Sequence, residues 1–548
     1  MSDQDALLDA IREHPDEDTP RLAYADWLDE HAPDTGPSPA RGPSARADYI
    51  RVQCALAGRP YDSPEYPALL ELEEELARWL DAHAGSSHPE LPDDLEWTKS
   101  FSYGADESYR RGFPEEVEYT DYDEEPEENV ERITVALEEA FTSVTIRSLR
   151  LGDAYGAEIE GLANNPVSAR LRGLFLDYIA DDDEAAAVRG IVGSEHLTGL
   201  RRLGLEFPLS PTDARALAQA QNLGALESLA LDEMTPAGMK TLSAAKWFRG
   251  LRALRLWMNN RDTLRALSEL PPMPHLVELE LAGEVVPTVA AVRRLVAADS
   301  FPRLARLDLE RVHLTPEMFA VLARAPWPLR HLRVSDVAIR KAGAEALAGA
   351  AFAGSLRVLE LRDCKITAGG VQTLAGAPAL AGLRHLTLHG NPIGPGGLTA
   401  LARSPHLRGL RLLDLSGCNG PKAALDTAAV QTFLAALNMP ELRHLMMNGL
   451  PVGVRGARTI AAGGTFANLT RLGLDDCGLR ESGAQALCES TALPGLTVLD
   501  LRANNAGKGL AKLASPKVFP RLGHCDLLRN RVPKPLLTKL GKRPALQV

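Results

Sequence analysis

Aromatic side chains are scarce in this sequence of 548 residues, with Phe, Trp and Tyr together making 5%. Leucine and alanine must therefore supply most of the core. Basic residues are not in excess either: 60 Lys and Arg stand against 73 Asp and Glu, a formal net charge of -13. That balance argues against sequence-tolerant nucleic-acid binding, which calls for a basic surface. No stretch approaches the roughly 18 consecutive apolar residues of a membrane span. The six cysteines lie too far apart to read as a disulfide framework. The opening residues Met1-Ser2-Asp3 lack the basic start and apolar run of a secretory signal. These absences lead us to expect a cytoplasmic protein without a membrane partner, and the Arg, Ala, Gly and Pro bias fits a GC-rich bacterial genome.

The chain is too long for one compact core, but an array of repeats grows by stacking units. Such an array is present. The pattern Leu-x-x-Leu-x-Leu recurs to the C-terminus, with clear copies starting at Leu171, Leu200, Leu251, Leu356, Leu383 and Leu410. Worn copies start at Ile146, Leu329, Leu442 and Leu522, where Val334, Met447 or Cys525 replaces a leucine in the last three. We count roughly fifteen units, about 25 to 32 residues apart, a spacing typical of leucine-rich repeats. The Leu-x-Leu core has period two, so it is a short strand with its leucines on one face. Segments such as Gly397-Leu-Thr-Ala-Leu-Ala that follow it carry helical period. Each strand–helix unit exposes an apolar face that only a stacked neighbour can cover.

In the later units Asn or Cys stands three residues after the last strand leucine: Cys364, Asn391, Cys418, Cys477 and Asn504. On these features residues 143–548 resemble the ribonuclease-inhibitor-like subclass of leucine-rich-repeat proteins. The resemblance implies an α/β solenoid, with a curved parallel sheet on the concave side and helices on the convex side. It implies that the Asn or Cys turns the chain inward and bonds backbone groups of neighbouring loops. It says nothing of the partner, since this fold hosts many functions.

Residues 1–60 read differently, as a small, mainly helical domain. Helices are expected over Asp5–Glu13, Pro20–Glu30 and Arg46–Leu56, with Asp18 or Thr19 capping the second and Pro20 near its first position. A Pro/Gly/Ser-rich excursion at 33–44 separates the last two. The stretches Leu7–Ile11, Pro20–Leu28 and Arg46–Gln53 resemble the bacterial repeat-companion domain, a family that accompanies repeat arrays and implies no reaction. Residues 61–142 are expected to hold a helix over Ser63–His83, a strand-and-turn connector that caps the first repeat, and an acidic linker at Asp121–Glu128.

No constellation with catalytic, cofactor or metal-binding chemistry emerges. Gly390-Asn-Pro-Ile-Gly-Pro-Gly-Gly lacks the Gly-Lys-Ser/Thr ending of a phosphate loop, and Gly507-Lys508-Gly509 has no hydroxyl after its lysine. His14, Asp16 and Asp18 read as an acidic helix-capping turn. His331, His385, His389 and His444 sit at related repeat positions, but not all on neighbouring strands. Cys54 has no fixed histidine partner, and the repeat cysteines read as reduced structural residues.

The sheet face carries more information. Counting the first leucine as position one, positions three, five and seven point away from the core. Positions five and seven gather acids, among them Asp177, Glu206, Asp232, Asp308, Glu310, Glu360 and Asp414. Position two holds an arginine row that includes Arg147, Arg172, Arg201, Arg330, Arg357 and Arg384. These bands are read either as intramolecular ion pairs, each contributing about 0–1 kcal/mol, or as a charge-striped docking surface. For docking, the residues chosen are Phe175 and Trp257 as aromatic anchors with Asp308, Glu310, Arg333, Glu360, His385, His389 and Asp414 around them. Trp257, Asp308 and Glu310 are expected to face solvent.

The expectation for function is a non-catalytic interaction scaffold that binds a partner protein through its repeats. Two alternatives stay open: a dedicated inhibitor, substrate or regulatory subunit of a bacterial signalling or defence complex, and an effector enzyme with an N-terminal active site.

Overall fold

The computed structural model describes residues 2–14, 17–31, 44–57, 59, 69, 72–73, 76, 91–92, 94–97, 109–110, 113–114, 116–119, 126–143, 146–180, 183–232, 234–258, 260–420, 425–543 and 545–548. The excursion at 33–44, apart from Ser44, lies outside them. So do nearly all of the helix expected at 63–83 and residues 121–125 of the acidic run. The described residues form two compact units, one reaching Leu307 and the other running Asp308–Val548.

The first unit opens with three helices, α1 (Asp3–Glu13), α2 (Asp18–His31) and α3 (Ala45–Ala57). Ser2 caps α1 in a reciprocal box: its hydroxyl accepts from the Asp5 amide while the Asp5 carboxylate accepts from the Ser2 amide. Helix α2 starts at Asp18, so Asp18 and Thr19 lie within it rather than ahead of it. Pro20 is tolerated there because first-turn amides have no helical acceptor. Ile11, Ala25, Leu28, Ala47, Ile50 and Cys54 form the core of this bundle. Arg51 on α3 clamps α2 through Asp26 and Asp29, both at 2.7 Å. Arg12 ties the bundle to the helix α4 (Pro126–Ser143) by donating to the Thr142 carbonyl at 2.7 Å.

The repeat strands follow. Strand β1 (Leu95–Trp97) pairs antiparallel with β4 (Glu116–Tyr119), and a separate hairpin pairs β2 (Tyr109–Arg110) with β3 (Phe113–Pro114). From β4 the sheet is parallel: β5 (Ser148–Leu151), β6 (Gly173–Leu176), β7 (Arg202–Pro208), β8 (Ser228–Asp232), β9 (Ala253–Trp257) and β10 (Glu278–Ala282). The leucines stay in register from strand to strand, Leu149 beside Leu174 beside Leu203 beside Leu229. Strand β4 covers the edge of β5 that the first repeat would otherwise leave open.

The division between units falls within β11 (Arg306–Glu310). The second unit continues with parallel strands β12 (His331–Ser335), β13 (Val358–Arg362), β14 (His385–Thr387), β15 (Leu412–Asp414), β16 (His444–Met446), β17 (Arg471–Gly473), β18 (Val498–Asp500), β19 (His524–Asp526) and β20 (Leu546–Gln547). One repeat shows the build. Leu359 and Leu361 point inward from β13, the helix Ala368–Ala375 adds Val371 and Leu374, a 3-10 turn adds Leu380, and all five are buried. This is the α/β leucine-rich-repeat architecture that the spacing predicts, with a small helical region ahead of it.

The turn after each strand is held by the Asn or Cys position. Asn504 Nδ2 donates to Leu474 O, Leu501 O and Arg502 O, while its Oδ1 accepts from Cys477 N and Leu479 N. Asn391 does the same work four strands earlier, and Asn530 repeats it one strand later. Cysteine makes a weaker version: the thiols of Cys364, Cys418 and Cys477 donate to carbonyls of the preceding repeat at 3.0–3.2 Å. The glycine-rich segment at Gly390 belongs to this turn. Gly390 has φ +69°, and a side chain there would strike the Asp363 carboxylate.

Candidate functional site

The leucines of Leu-x-x-Leu-x-Leu are consumed by the core, so function has to lie on what the strands turn outward. In the first unit Phe175 stands at position five of β6. Its ring leans over Gly204, where a Cβ would clash with it. The guanidinium carbons of Arg150 and Arg202 lie 4.9 and 5.6 Å from its centroid. Phe175 is therefore a half-buried ring engaged by its own arginines rather than an open anchor. Arg150 also binds Asp177 at 2.6 Å and Glu116 at 3.4 Å. Burial opposes the charge of Arg150, but these carboxylates prevail and raise its pKa.

Trp257, at position seven of β9, is half-buried and lines an open depression together with Glu206, Ala230, Leu231, Asp232 and Arg255. Arg255 reaches the other way, to Glu280 at 3.2 Å. Glu206 is exposed, and burial of its surroundings followed by the charge of Asp177 raises its pKa.

The second unit holds the remaining chosen residues. Asp308 is 3% exposed and not, as the period-two reading expects, a solvent-facing acid. Alternation assigns a side chain to a face; it does not say how far long neighbours cover a short one. Glu310 stays partly exposed and meets Arg333 at 3.8 Å. Glu360 is held from two sides: His331 Nε2 lies 3.0 Å from Oε1, and Arg362 donates to Oε2 through Nη2 at 2.8 Å and Nε at 3.1 Å. Although burial opposes ionisation, His331 and Arg362 hold the Glu360 carboxyl well below the usual range. Asp414 is half-buried and accepts from the Ser416 amide at 2.9 Å. His385 is 7% exposed, while His389 is half-buried at position seven of the same repeat.

Strand register separates the histidines. His331, Val358, His385, Leu412 and His444 succeed one another at position three, so an aliphatic residue separates each imidazole from the next. With strands about 4.8 Å apart, the imidazoles stand roughly 9–10 Å from one another. Among the described residues no three His, Cys, Asp or Glu side chains are grouped to hold a metal ion. All six cysteines are buried free thiols, and burial pushes those of Cys364, Cys418 and Cys488 up to about 12.

Several arginines of the position-two row turn away from the acids, although Arg201 meets Glu227 at 3.7 Å. Arg147, Arg172, Arg357 and Arg384 turn onto loop carbonyls; Arg384 Nη1, for instance, meets Leu383 O and Gly409 O. Burial, then the charges of Arg330 and Arg384, lower the pKa of Arg357. The cations that pair with the acids sit in the strands themselves, at positions three, five and seven: Arg202, Arg306, Arg150, Arg255, Arg333, Arg362 and Arg502. Sequence reasoning saw the acids, the position-two row and Arg333, and passed over the other six. Their signal was an arginine at an outward position next to an acid on a neighbouring strand.

Among the described residues no helix is long and apolar enough to cross a membrane. A sequence profile described as "Leucine Rich repeat" matches residues 355–375 and 383–402. No curated protein matches the chain. Among solved structures, a chain of the "Crystal structure of Rad7 and Elc1 complex in yeast" is similar with 17% identity and a TM-score of 0.40, over 69% of this chain and 89% of that one. The two matched segments coincide with the β13 repeat and the β14 repeat, whose strand, turn and helix recur in the units around them, so the family match and the architecture agree on a leucine-rich-repeat fold.

Proposed function

We propose that the chain is a non-catalytic scaffold that binds a partner protein on the outward face of its repeat sheet. One contrast carries this reading. Around β12 and β13 the outward charges are largely consumed by Glu310–Arg333 and His331–Glu360–Arg362, whereas the depression beside Trp257 sets the exposed Glu206 carboxylate, which has no ion pair among the described residues, near a half-buried indole. An aromatic ring flanked by charge is a common anchor of protein interfaces. The buried, high-pKa thiols support no nucleophile. The N-terminal bundle fits a companion role, placing a helical module next to the repeats without an evident reaction.

The test begins by recovering a partner from the native host on the immobilised chain and then measuring its affinity for variants. Trp257→Ala should weaken binding by more than about 1 kcal/mol. Glu345→Lys and Glu481→Lys, on helices at the opposite side of their repeats, should leave it unchanged. The reverse pattern contradicts the reading.

A further inference from the structure

Strands β6, β7 and β8 bring three carboxylates to the outward side at the same repeat position: Asp177, Glu206 and Asp232. Neighbouring strands are only about 4.8 Å apart, so three like charges there repel unless cations intervene. The nearest cations are already engaged, Arg150 with Asp177 at 2.6 Å and Arg255 with Glu280 at 3.2 Å. Glu206 has no ion-pair partner among the described residues.

Alternation turns Glu206 outward between the buried Leu205 and Phe207. Between Leu205 and Pro208 the pairing of β7 with β8 shifts register. The shift sets Asp232 opposite Pro208 rather than opposite Glu206. Phe207 turns into the core, 2% exposed, while Glu206 stays outside. The depression that Glu206 shares with Asp232 is also lined by Ala230, Leu231, Trp257 and Arg255, the last directed towards β10. It thus combines a carboxylate with no ion pair among the described residues, a second carboxylate, an indole and the small side chain of Ala230.

We infer that this depression seats an arginine side chain presented by the partner protein. The inference rests on the proposed function and names the chemistry of the contact. A guanidinium can donate to Glu206 or Asp232 in its own plane and stack against the Trp257 indole, which a compact ammonium does less well. A divalent metal is the poorer occupant, because among the described residues no three ligating side chains are grouped for one. The electrostatics agree. Burial and then the charge of Asp177 on β6 raise the Glu206 carboxyl, Arg255 on β9 and Arg150 on β5 pull it down, and Asp232 on β8 raises it again. A bound guanidinium favours the ionised form, so binding should release a proton and strengthen as pH rises through the Glu206 titration.

The experiment uses the full chain labelled with 5-fluorotryptophan, its Trp257 fluorine line identified by Trp257→Phe. The probe is a blocked pentapeptide, Gly-Leu-Arg-Leu-Gly, compared with versions carrying citrulline or lysine in place of the arginine. The arginine peptide should shift the Trp257 line saturably. Citrulline, and separately Glu206→Gln, should weaken that by about tenfold, the loss of one charge-assisted hydrogen bond. Binding should be tighter at neutral pH than in acid, where the Glu206 carboxyl takes up a proton. An unmoved Trp257 line, equal binding of citrulline, indifference to Glu206→Gln in a protein of unchanged urea midpoint, or equal binding of the lysine peptide overturns the assignment. Should the assignment fail while the recovered partner still depends on the sheet face, the proposed function stands and only the arginine contact falls.

Discussion

His331 on β12 lies 3.0 Å through its Nε2 from Oε1 of Glu360 on the neighbouring strand β13, and Arg362 closes the other side of the same carboxylate. The carboxyl is therefore depressed in the folded chain, so acidification favours the unfolded chain, which binds the proton more readily. Its contribution is fully present above the ordinary Glu range near pH 4.3 and is withdrawn as pH falls from there towards the lower folded value. Glu360→Gln should cost about 1–3 kcal/mol at neutral pH. In urea melts the gap between variant and parent should narrow below about pH 4. A gap that stays constant with pH would mean that Glu360 is not ionised against these partners.

Asn504 should matter more than the cysteines at the same turn position. Asn504→Ala orphans the Cys477 and Leu479 amides and the Leu474 carbonyl and removes bonds to Leu501 O and Arg502 O, against a single inter-repeat thiol bond at Cys364. The cost should be at least about 2 kcal/mol, and larger than that of Cys364→Ala. Hydrogen exchange should show faster exchange at Cys477 and Leu479, whose amides lose their acceptor. Unchanged exchange there would contradict the bonding scheme.

Leu386, 1% exposed at the centre of β14, tests the stacked core. Leu386→Ala should cost about 2–5 kcal/mol through lost burial and the cavity left behind. A loss under about 1 kcal/mol would place Leu386 outside the core.

Reversing charge at Asp308 and at Glu310 should give unlike results although the two acids are separated by one residue. Asp308 is buried, so Asp308→Lys should destabilise by about 3 kcal/mol or more. Glu310 loses only a long pair with Arg333, so Glu310→Lys should cost about 1 kcal/mol or less. Equal thermal shifts would show that burial does not separate them.

Much of the fold was legible because Leu-x-Leu has only one way to bury its period-two face, and the strands from Leu149 to Leu499 fall where the motif places them. The turn at Asn391 and Asn504 was legible for the same reason. Asn530, three residues after Leu527, carries the same signal but follows a strand with Cys525 in a leucine's place, and it passed unread. The site was less legible. Phe175 and Trp257 look alike in the repeat, yet Phe175 is engaged by Arg150 and Arg202 while Trp257 lines a depression, a difference set by side chains on neighbouring strands. The register shift after Leu205 depends on cross-strand pairing that no single repeat reveals. Arg21, a natural choice for a surface change from its place in a polar run, is wholly buried in the N-terminal bundle.

The most direct test of the sheet face as the interface is carboxyl footprinting of the chain alone and with its recovered partner, read by mass spectrometry at each acid. The account predicts that Glu206 and Asp232 lose labelling in the complex while the helix-side acids Glu345 and Glu481 keep theirs. Full labelling of Glu206 and Asp232 in the complex, with protection of Glu345 or Glu481, would contradict it.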